Sequence, residues 1–520
     1  MSAVEAQAHS VDVAIVGGGI AGIASAVELS SRGYKVALIE SRSILGGRAR
    51  SWIDGVTRDP VHIGPHVVVT DYPNFFKLLE TLGTRDRIVW QPTRHFITMV
   101  EGQKEQHFRT LPLPAPFSWG PASVFDPFVP FADKHTTVPA AIHCLSLSED
   151  QVDALDNETG EHFLQRLGVS DTYIQHFWGF LCHAILNVPI EEVSAAALVR
   201  FFRALVGNSS MEMGFSDGGL GDLFKPVTSK LEAAGSLVMT STEVISFLQS
   251  PDGDCSGVML EDNIKVEARL GVISTLPPHV VTPLLPEAWT SKHLEFRDLQ
   301  ALKPCKYLSV YLWFDRQVSG GRQMWARAYR RGDLNCEFYD FSHIYTGNDS
   351  SGRSWQSRPS FIGSNIIDAG RLQDMSDEDI VAGTLRELEE FLPDVKTARV
   401  QHSVVNRVPM AIHRPVVGTE MRRPDQATSV PGLFFAGCWT QTRFPSSMES
   451  AAMSAYLAVE RLIEKRCPEV GKRPSIALPH RPMSFPARVL GQIDFLRPWL
   501  LSPIFRLLCR VSGGVPPSKL

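Results

Sequence analysis

The chain has 520 residues, 44% of them hydrophobic and 21% charged, which at roughly 100–200 residues per domain is enough for two or three cores and excludes a small single module. A formal net charge of −5 gives no basic field of the kind that gathers nucleic acid by counterion release, so nucleic-acid binding is not expected. The eight cysteines, Cys144, Cys182, Cys255, Cys305, Cys336, Cys438, Cys467 and Cys509, form no CxxC pair and no Cys/His cluster with zinc spacing, which fits a reducing cytoplasm and no metal.

The opening MSAVEAQAHS lacks the basic and apolar regions of a secretion signal, and no run of about 20 apolar residues escapes charge or proline. Neither secretion nor membrane spanning is expected, and a cytoplasmic place is. Val11 to Val16 is an apolar run ending in glycines, Ile20 to Arg32 has helical periodicity, and Lys35 to Ile39 is apolar again: a βαβ unit. From Tyr72 to Arg203 most segments read as helices, among them Asn74 to Leu82 and Val193 to Leu205, broken by a proline-rich stretch from Leu111 to Pro130. After Gly218 a helix, Leu223 to Ala234, precedes strand-like runs at Ser236 to Thr240, Glu243 to Leu248, Ser256 to Leu260 and Leu270 to Ser274. Tyr307 to Phe314 alternates, with Leu308, Val310, Leu312 and Phe314 on one face and Tyr307, Ser309, Tyr311 and Trp313 on the other, which predicts a second sheet with an aromatic face. A strand at Leu433 to Ala436, a turn at Gly437 and a helix from Met448 to Lys465 follow.

The chemistry is concentrated in the first unit. Gly17, Gly19 and Gly22 form GxGxxG between a strand and a helix, with Glu40 ending the next strand. The first glycine allows the tight turn, the second lets backbone approach a pyrophosphate, and the third lets helix pack on strand. The helix start at Ile20 and Ala21 offers unpaired N–H groups and a positive dipole end, and Glu40, followed by Ser41, accepts from ribose hydroxyls. Directly after comes Leu45-Gly46-Gly47-Arg48, where two glycines let a loop cross a cofactor closely and a guanidinium can pair with phosphate oxygens.

That second glycine motif resembles the one in the amine oxidase and phytoene desaturase flavoproteins. The resemblance extends along nearly the whole chain and is nearest to the carotenoid desaturases and the squalene-associated FAD desaturases, or hydroxysqualene dehydroxylases. It is carried by Gly64, Pro65 and His66 followed by Tyr72-Pro73-Asn74, by Asn187 and Pro189, by Gly218-Gly219-Leu220, and by VPGLFFAGCWTQTRFPSSMESAAMSAYLAVERL. It implies FAD, an α/β fold in which a Rossmann-type FAD-binding domain carries an inserted substrate domain of mixed sheet and helices, and cofactor contacts from Gly64, Pro65, His66, Val244 (whose backbone would hold adenine), Gly437, Cys438, Ser447 and Met448. The domains expected are a discontinuous FAD-binding domain (11–70, 211–280 and 416–467), a helical cap (71–210), a sheet-containing substrate domain (281–415) and a basic amphipathic tail (468–520). At Cys438 the sequence departs from the family, which has an aspartate there for a ribityl hydroxyl. Losing one charged hydrogen bond costs about 1.5–3 kcal/mol against roughly 12 for a nanomolar cofactor.

The implied activity is desaturation of a long isoprenoid hydrocarbon such as a carotene precursor, with quinone or oxygen as electron acceptor. His66 and Arg414 are the candidates for side chains acting in the chemistry. Three alternatives stand: reductive dehydroxylation of hydroxysqualene, a flavin amine oxidase with Trp439 as one wall of an aromatic cage, and a flavin-binding protein without turnover. A hydrocarbon of some thirty carbons costs on the order of 20 kcal/mol to hydrate, so it must be collected from a membrane. The tail offers a docking surface on an inner membrane face: Lys472, Arg473, Arg481, Arg488, Arg497, Arg506, Arg510 and Lys519, opposed only by Asp494, lie among Val489, Ile493, Phe495, Trp499, Leu500, Ile504, Phe505 and Leu507.

Overall fold

The computed structural model describes residues 8–102, 104–119, 127–207, 211–327, 330, 332–468, 475–497 and 502–511. Lys472, Arg473, Trp499, Leu500 and Lys519 lie outside these, as do 120–126 of the proline-rich stretch and the side chains of Phe505, Arg506 and Arg510.

Two seven-stranded sheets organise the chain. In the first, the order is 237–239, 36–39, 8–16, 265–274, 255–260 and 244–249, with 433–435 also pairing on 265–274. The central strands run parallel. Parallel sheets are covered on both faces, and accordingly Val13, Ala14, Ile15, Val16 and Val36, Ala37, Leu38, Ile39 are all buried. Strand Lys265–Ser274 exchanges neighbours along its length: Lys265 to Glu267 pair antiparallel with Met259 to Gly257, and Val272 to Ser274 pair parallel with Leu433 to Phe435. Gly271 (φ +133°) stands at the exchange, where a Cβ would lie 2.2 Å from Gly432 O, so only glycine lets the two backbones meet. One face of the sheet carries helix Ile20–Ser31 packed along helix Met448–Arg466. The contact is built from small side chains, Ala24, Ala452, Ala455 and Ala458, all at 0% exposure, which lets the helix axes come close.

The second sheet has the order 400–408, 307–314, 361–366, 337–340, 324–326, 95–101 and 104–109. Strand Tyr307–Phe314 lies inside it with all eight residues buried. The alternation read from the sequence holds: Leu308, Val310, Leu312 and Phe314 join a cluster with Trp325 and Phe338, while Tyr307, Tyr311 and Trp313 join a larger one with Phe341, Tyr345 and Phe361. Both faces are cores. The reading of 71–210 as helical needs correction, because His95–Glu101 and Lys104–Arg109 form a hairpin that extends this sheet through a parallel contact of Met99 with Ala326, and Ile88–Trp90 joins Val68–Val69 and Met213–Ser216 in a small sheet. Helices do follow, at Phe131–Ser146 and Ala195–Val206. The helix expected at 223–234 begins as a 3₁₀ turn at Leu220–Phe224 and becomes α-helical only over Val227–Ala233.

Helix Pro73–Leu82 has proline in its first turn and ends on Gly83 in the left-handed region (φ +73°), a start and a stop written in sequence. Its N-terminus is capped from elsewhere in the chain. Glu449 accepts from Asn74 N (3.2 Å), Asn74 Nδ2 (2.6 Å) and Phe75 N (2.9 Å). Burial pushes the Glu449 carboxyl up to about 7 against these donors. The folded chain therefore holds this proton more tightly than the unfolded one, so the contribution to stability is complete below the ordinary value of 4.5 and lost as pH rises through about 7. The expected loss is roughly 3 kcal/mol. Melting temperatures measured at about pH 5 and about pH 8 should differ in that direction, and Glu449→Gln should flatten the difference; a slope unchanged in the variant would assign it to other groups.

Candidate flavin site

The glycine turn closes between strand Ala8–Val16 and helix Ile20–Ser31. Gly17 takes φ +102° and donates its N–H to Ile39 O at 2.8 Å, and at Gly22 a Cβ would lie 1.8 Å from Gly17 O. Gly19 differs: a Cβ there would meet only Gly47 Cα, at 3.9 Å, so the space before it is open. The helix has no side-chain cap and no acid in its first turn, and its first internal bond is Ile23 N to Gly19 O. The N–H groups of Ile20, Ala21 and Gly22 thus remain for an anion.

Glu40 is buried at the end of strand Val36–Ile39 and accepts from Gly18 N (2.7 Å) and Arg42 N (2.9 Å). A carboxylate has about four acceptor positions; with Ser41 Oγ also donating at 3.3 Å, room for one hydroxyl donor is left. Ser41 beside it is exposed. The segment leading to Val244 runs along the same edge, with Ser241 N on Arg42 O and Thr242 N on Glu40 O.

The second glycine loop is pinned to the first by Gly46 N on Gly18 O at 2.8 Å. Gly46 (φ +110°) and Gly47 (φ +56°) turn it so that Arg48 reaches Ala411 O and, at 3.4 Å, Cys438 Sγ. Arg48 therefore bridges the glycine turns and the C-terminal motif. Gly437 (φ +132°) donates its N–H to Ser454 Oγ at 2.8 Å, Ser447 caps helix Met448–Arg466 by accepting from Ser450 N at 3.1 Å, and Met448 opens its first turn. The glycine turn and the distant helix start, far apart in sequence, meet at one place.

The loop Gly64–His66 joins the site to the second sheet. A Cβ on Gly64 would overlap Tyr307 Oη at 1.7 Å, and Pro65 O accepts from Asn365 Nδ2 at 3.2 Å. His66 Nδ1 donates to Gly64 O at 2.7 Å, leaving Nε2 as an acceptor; burial, with Arg48 adding to it, holds its pKa below the usual histidine value. Arg414 is placed differently: its guanidinium is bound by Asp368 and Glu192. Its neighbour His413 is buried and reaches Ser446 Oγ at 3.1 Å. Sequence reasoning missed His413, Ser446 and the buried Arg200, Glu420 and Arg423 around them. Trp439 is fully buried against Phe435 beneath Gly437, a packing position and not the wall of an open cage.

An uncapped helix start, a buried carboxylate at the end of the next strand, an arginine tying the second glycine loop to the C-terminal motif and a second helix start form a site suited to a flavin dinucleotide, and the two-sheet fold around it is that of a flavin-dependent oxidoreductase. Residues 20–463 match the family model described as flavin containing amine oxidoreductase. The chain belongs to this family. Among curated proteins it is 25% identical to the 15-cis-phytoene desaturase of Synechococcus elongatus over 473 residues, covering 87% of this chain and 96% of that one. It is 26% identical over 484 residues to the probable zeta-carotene desaturase of the same organism, covering 87% and 98%. Among solved structures, cyclohexylamine oxidase from Brevibacterium oxydans superposes with a TM-score of 0.66 at 17% identity, covering 87% of this chain and 99% of that one. Putrescine oxidase bound to putrescine gives 0.65 at 17%, covering 88% and 100%. These structures show the shared fold.

Proposed function

We propose that the chain is an FAD-dependent desaturase of a long isoprenoid hydrocarbon. The observation that carries this reading is the similarity to a 15-cis-phytoene desaturase and a probable zeta-carotene desaturase over 87% of the chain; the aromatic core of Tyr307, Tyr311 and Trp313 with Phe341 and Phe361, which meets Gly64 through Tyr307, is compatible with an apolar substrate. Bound FAD supplies the chemistry of taking a hydride from a C–H bond. In this reading the chain's own residues do the rest. Glu40 holds the ribose hydroxyls, the N–H groups of Ile20 to Gly22 and the Arg48 guanidinium hold the pyrophosphate, and the start of helix Met448–Arg466 places its positive end at the ring. The aromatic core beside Gly64 keeps water from that side of the site. Electrons leave to a quinone or to oxygen.

The experiment is product analysis of the FAD-loaded protein fed phytoene, ζ-carotene, hydroxysqualene and a panel of amines. New conjugated double bonds in the first two support the reading. Deoxygenated product from the third reverses the direction of chemistry, peroxide with an amine makes it an amine oxidase, and an unloaded, colourless protein leaves a scaffold role.

The substrate must come from a bilayer, and the tail is the surface we assign to it. Helices Phe485–Gln492 and Ser502–Val511 pack on helix Phe131–Ser146, yet Phe131, Phe485, Phe495, Leu507 and Val511 stay 56–78% exposed, with Arg488 exposed among them. Apolar side chains among basic ones suit an anionic lipid surface. Among the described residues no helix is long and apolar enough to cross a membrane, so docking would be peripheral. Flotation on vesicles containing phosphatidylserine should carry the whole chain and lose a chain ending before Lys472; equal flotation of both would remove the tail from this role.

A further inference from the structure

A narrow cleft, with room of about 10 Å³ for one water-sized molecule, is lined by Arg200, His413, Glu420 and Ser446 among apolar side chains. Glu420 is 2% exposed and gathers three cationic or potentially cationic groups: Arg423 Nη1 at 3.1 Å, Arg200 Nη1 at 3.4 Å and His413 Nε2 at 3.7 Å. The last distance exceeds a hydrogen bond, and His413 Nε2, in a residue 1% exposed, has no hydrogen-bond partner among the described residues. The other ring nitrogen lies 3.1 Å from Ser446 Oγ, which is also 3.2 Å from Cys438 O. Ser446 directly precedes the helix cap Ser447, and Cys438 touches Arg48. A continuous polar path therefore runs from the buried charges through His413 and Ser446 to the two segments that frame the flavin.

With a neutral ring, Ser446 faces two acceptors, His413 Nδ1 and Cys438 O, the second of which also receives Arg423 Nη2 and Ser450 Oγ. Ser446 has a single hydroxyl proton. If it goes to Cys438 O, His413 must donate from Nδ1, and Nε2 then turns a bare lone pair toward the Glu420 carboxylate. If it goes to Nδ1, Cys438 O loses that donor and keeps Arg423 Nη2 at 3.1 Å. Only the imidazolium supplies every link: Nε2–H toward Glu420, Nδ1–H to Ser446, and Oγ–H to Cys438 O. Against this, burial lowers the His413 pKa, with Arg423 and Arg48 facing the ring from two sides and Glu420 opposing them. Negative charge arriving nearby favours the protonated ring.

We propose that His413 is the proton store of the flavin pocket: it takes one proton from solvent through the cleft when two electrons reach the bound flavin, and releases it on reoxidation. The only bond made or broken at His413 is an N–H bond, and the electrons come from the C–H bond being oxidised, or from dithionite in a titration. His413 acts through Ser446 and is thus a positioning residue. The proposal rests on the flavin reading above.

The test uses the full-length chain loaded with FAD. Midpoint potential is measured by dithionite titration against reference dyes between about pH 6 and pH 9, with FAD affinity measured in parallel by fluorescence quenching. The wild type is expected to take up one proton more per two electrons than His413→Asn over part of this range, while FAD affinity changes less than about threefold. His413→Gln substitutes if the asparagine variant does not fold. Ser446→Ala, which leaves the buried charges in place, should shift the pH at which the extra proton is taken. Identical pH profiles in the wild type and the folded histidine variant, or in Ser446→Ala if neither histidine variant folds, overturn the proposal while leaving the flavin reading intact. A wild type that binds no FAD overturns both.

Discussion

Replacing Gly19 by alanine should weaken FAD binding at least 100-fold, about 3 kcal/mol, with little effect on the apoprotein. The reason is the asymmetry among the three glycines of the turn. A methyl group on Gly19 meets no protein atom closer than 3.9 Å, and the residue has an extended backbone (φ −77°, ψ −178°) that alanine also adopts. The cost to the protein is that of a poorer helix cap, less than about 1 kcal/mol. What the methyl does obstruct is the approach of a pyrophosphate to the uncapped N–H groups behind it. Gly22→Ala provides the contrast, since its methyl would overlap Gly17 O at 1.8 Å and must displace the turn, lowering melting temperature and affinity together. Fluorescence quenching with FAD beside thermal melts of the apoproteins separates the two cases. A Gly19→Ala protein that binds FAD like the parent would show that the open space before the helix holds something else.

The second large effect is expected at Glu420. Burial alone pushes its carboxyl up, but Arg423, His413 and Arg200 outweigh it and hold the pKa far below the usual range. Its stabilisation is therefore present at neutral pH and lost as pH falls toward the folded-state value. Glu420→Leu leaves Arg423 with backbone carbonyls and the Thr442 hydroxyl as its partners and removes a counter-charge from Arg200, which keeps Asp153 and Glu149. Breaking one side of a buried pair costs about 3–5 kcal/mol. Denaturant unfolding should show a loss of that size, and Glu420→Gln a smaller one. A loss below about 1 kcal/mol would mean that the cleft hydrates the two guanidinium groups when the carboxylate is gone.

How much of this was legible in sequence follows from how local each feature is. The turn from Gly17 to Glu40 could be read because strand, helix and second strand are consecutive, and each glycine has its own steric reason. Tyr307–Phe314 could be read as a strand because the alternation is internal to eight residues, though both faces proved buried. The hairpin at 95–109 could not be read: it is short, exposed along its outer strand, followed by the proline-rich stretch, and fixed by strand Met324–Ala326 far along the chain. Arg414 was named from the sequence and His413 was not, and the two adjacent side chains have different surroundings for a geometric reason. Along extended backbone successive side chains point to opposite sides; here His413 turns inward to Ser446, and Arg414 turns outward to Asp368 and Glu192. The charge cluster itself joins Arg200 to the segment from His413 to Arg423, more than 200 positions later, and sequence does not show that the two meet.

The pairing of strand Ala8–Val16 with Lys265–Ser274 also sets a timetable. Ala268, the partner of Val11, comes 257 positions later, which at roughly 5–20 residues per second is about 13–50 s of synthesis. Until then the first βαβ unit leaves the ribosome with one flank of its sheet open, a ready template for mispairing with other chains. A product terminated before residue 265 would keep that flank permanently, so premature stops in this gene should yield aggregates and not half-active enzyme.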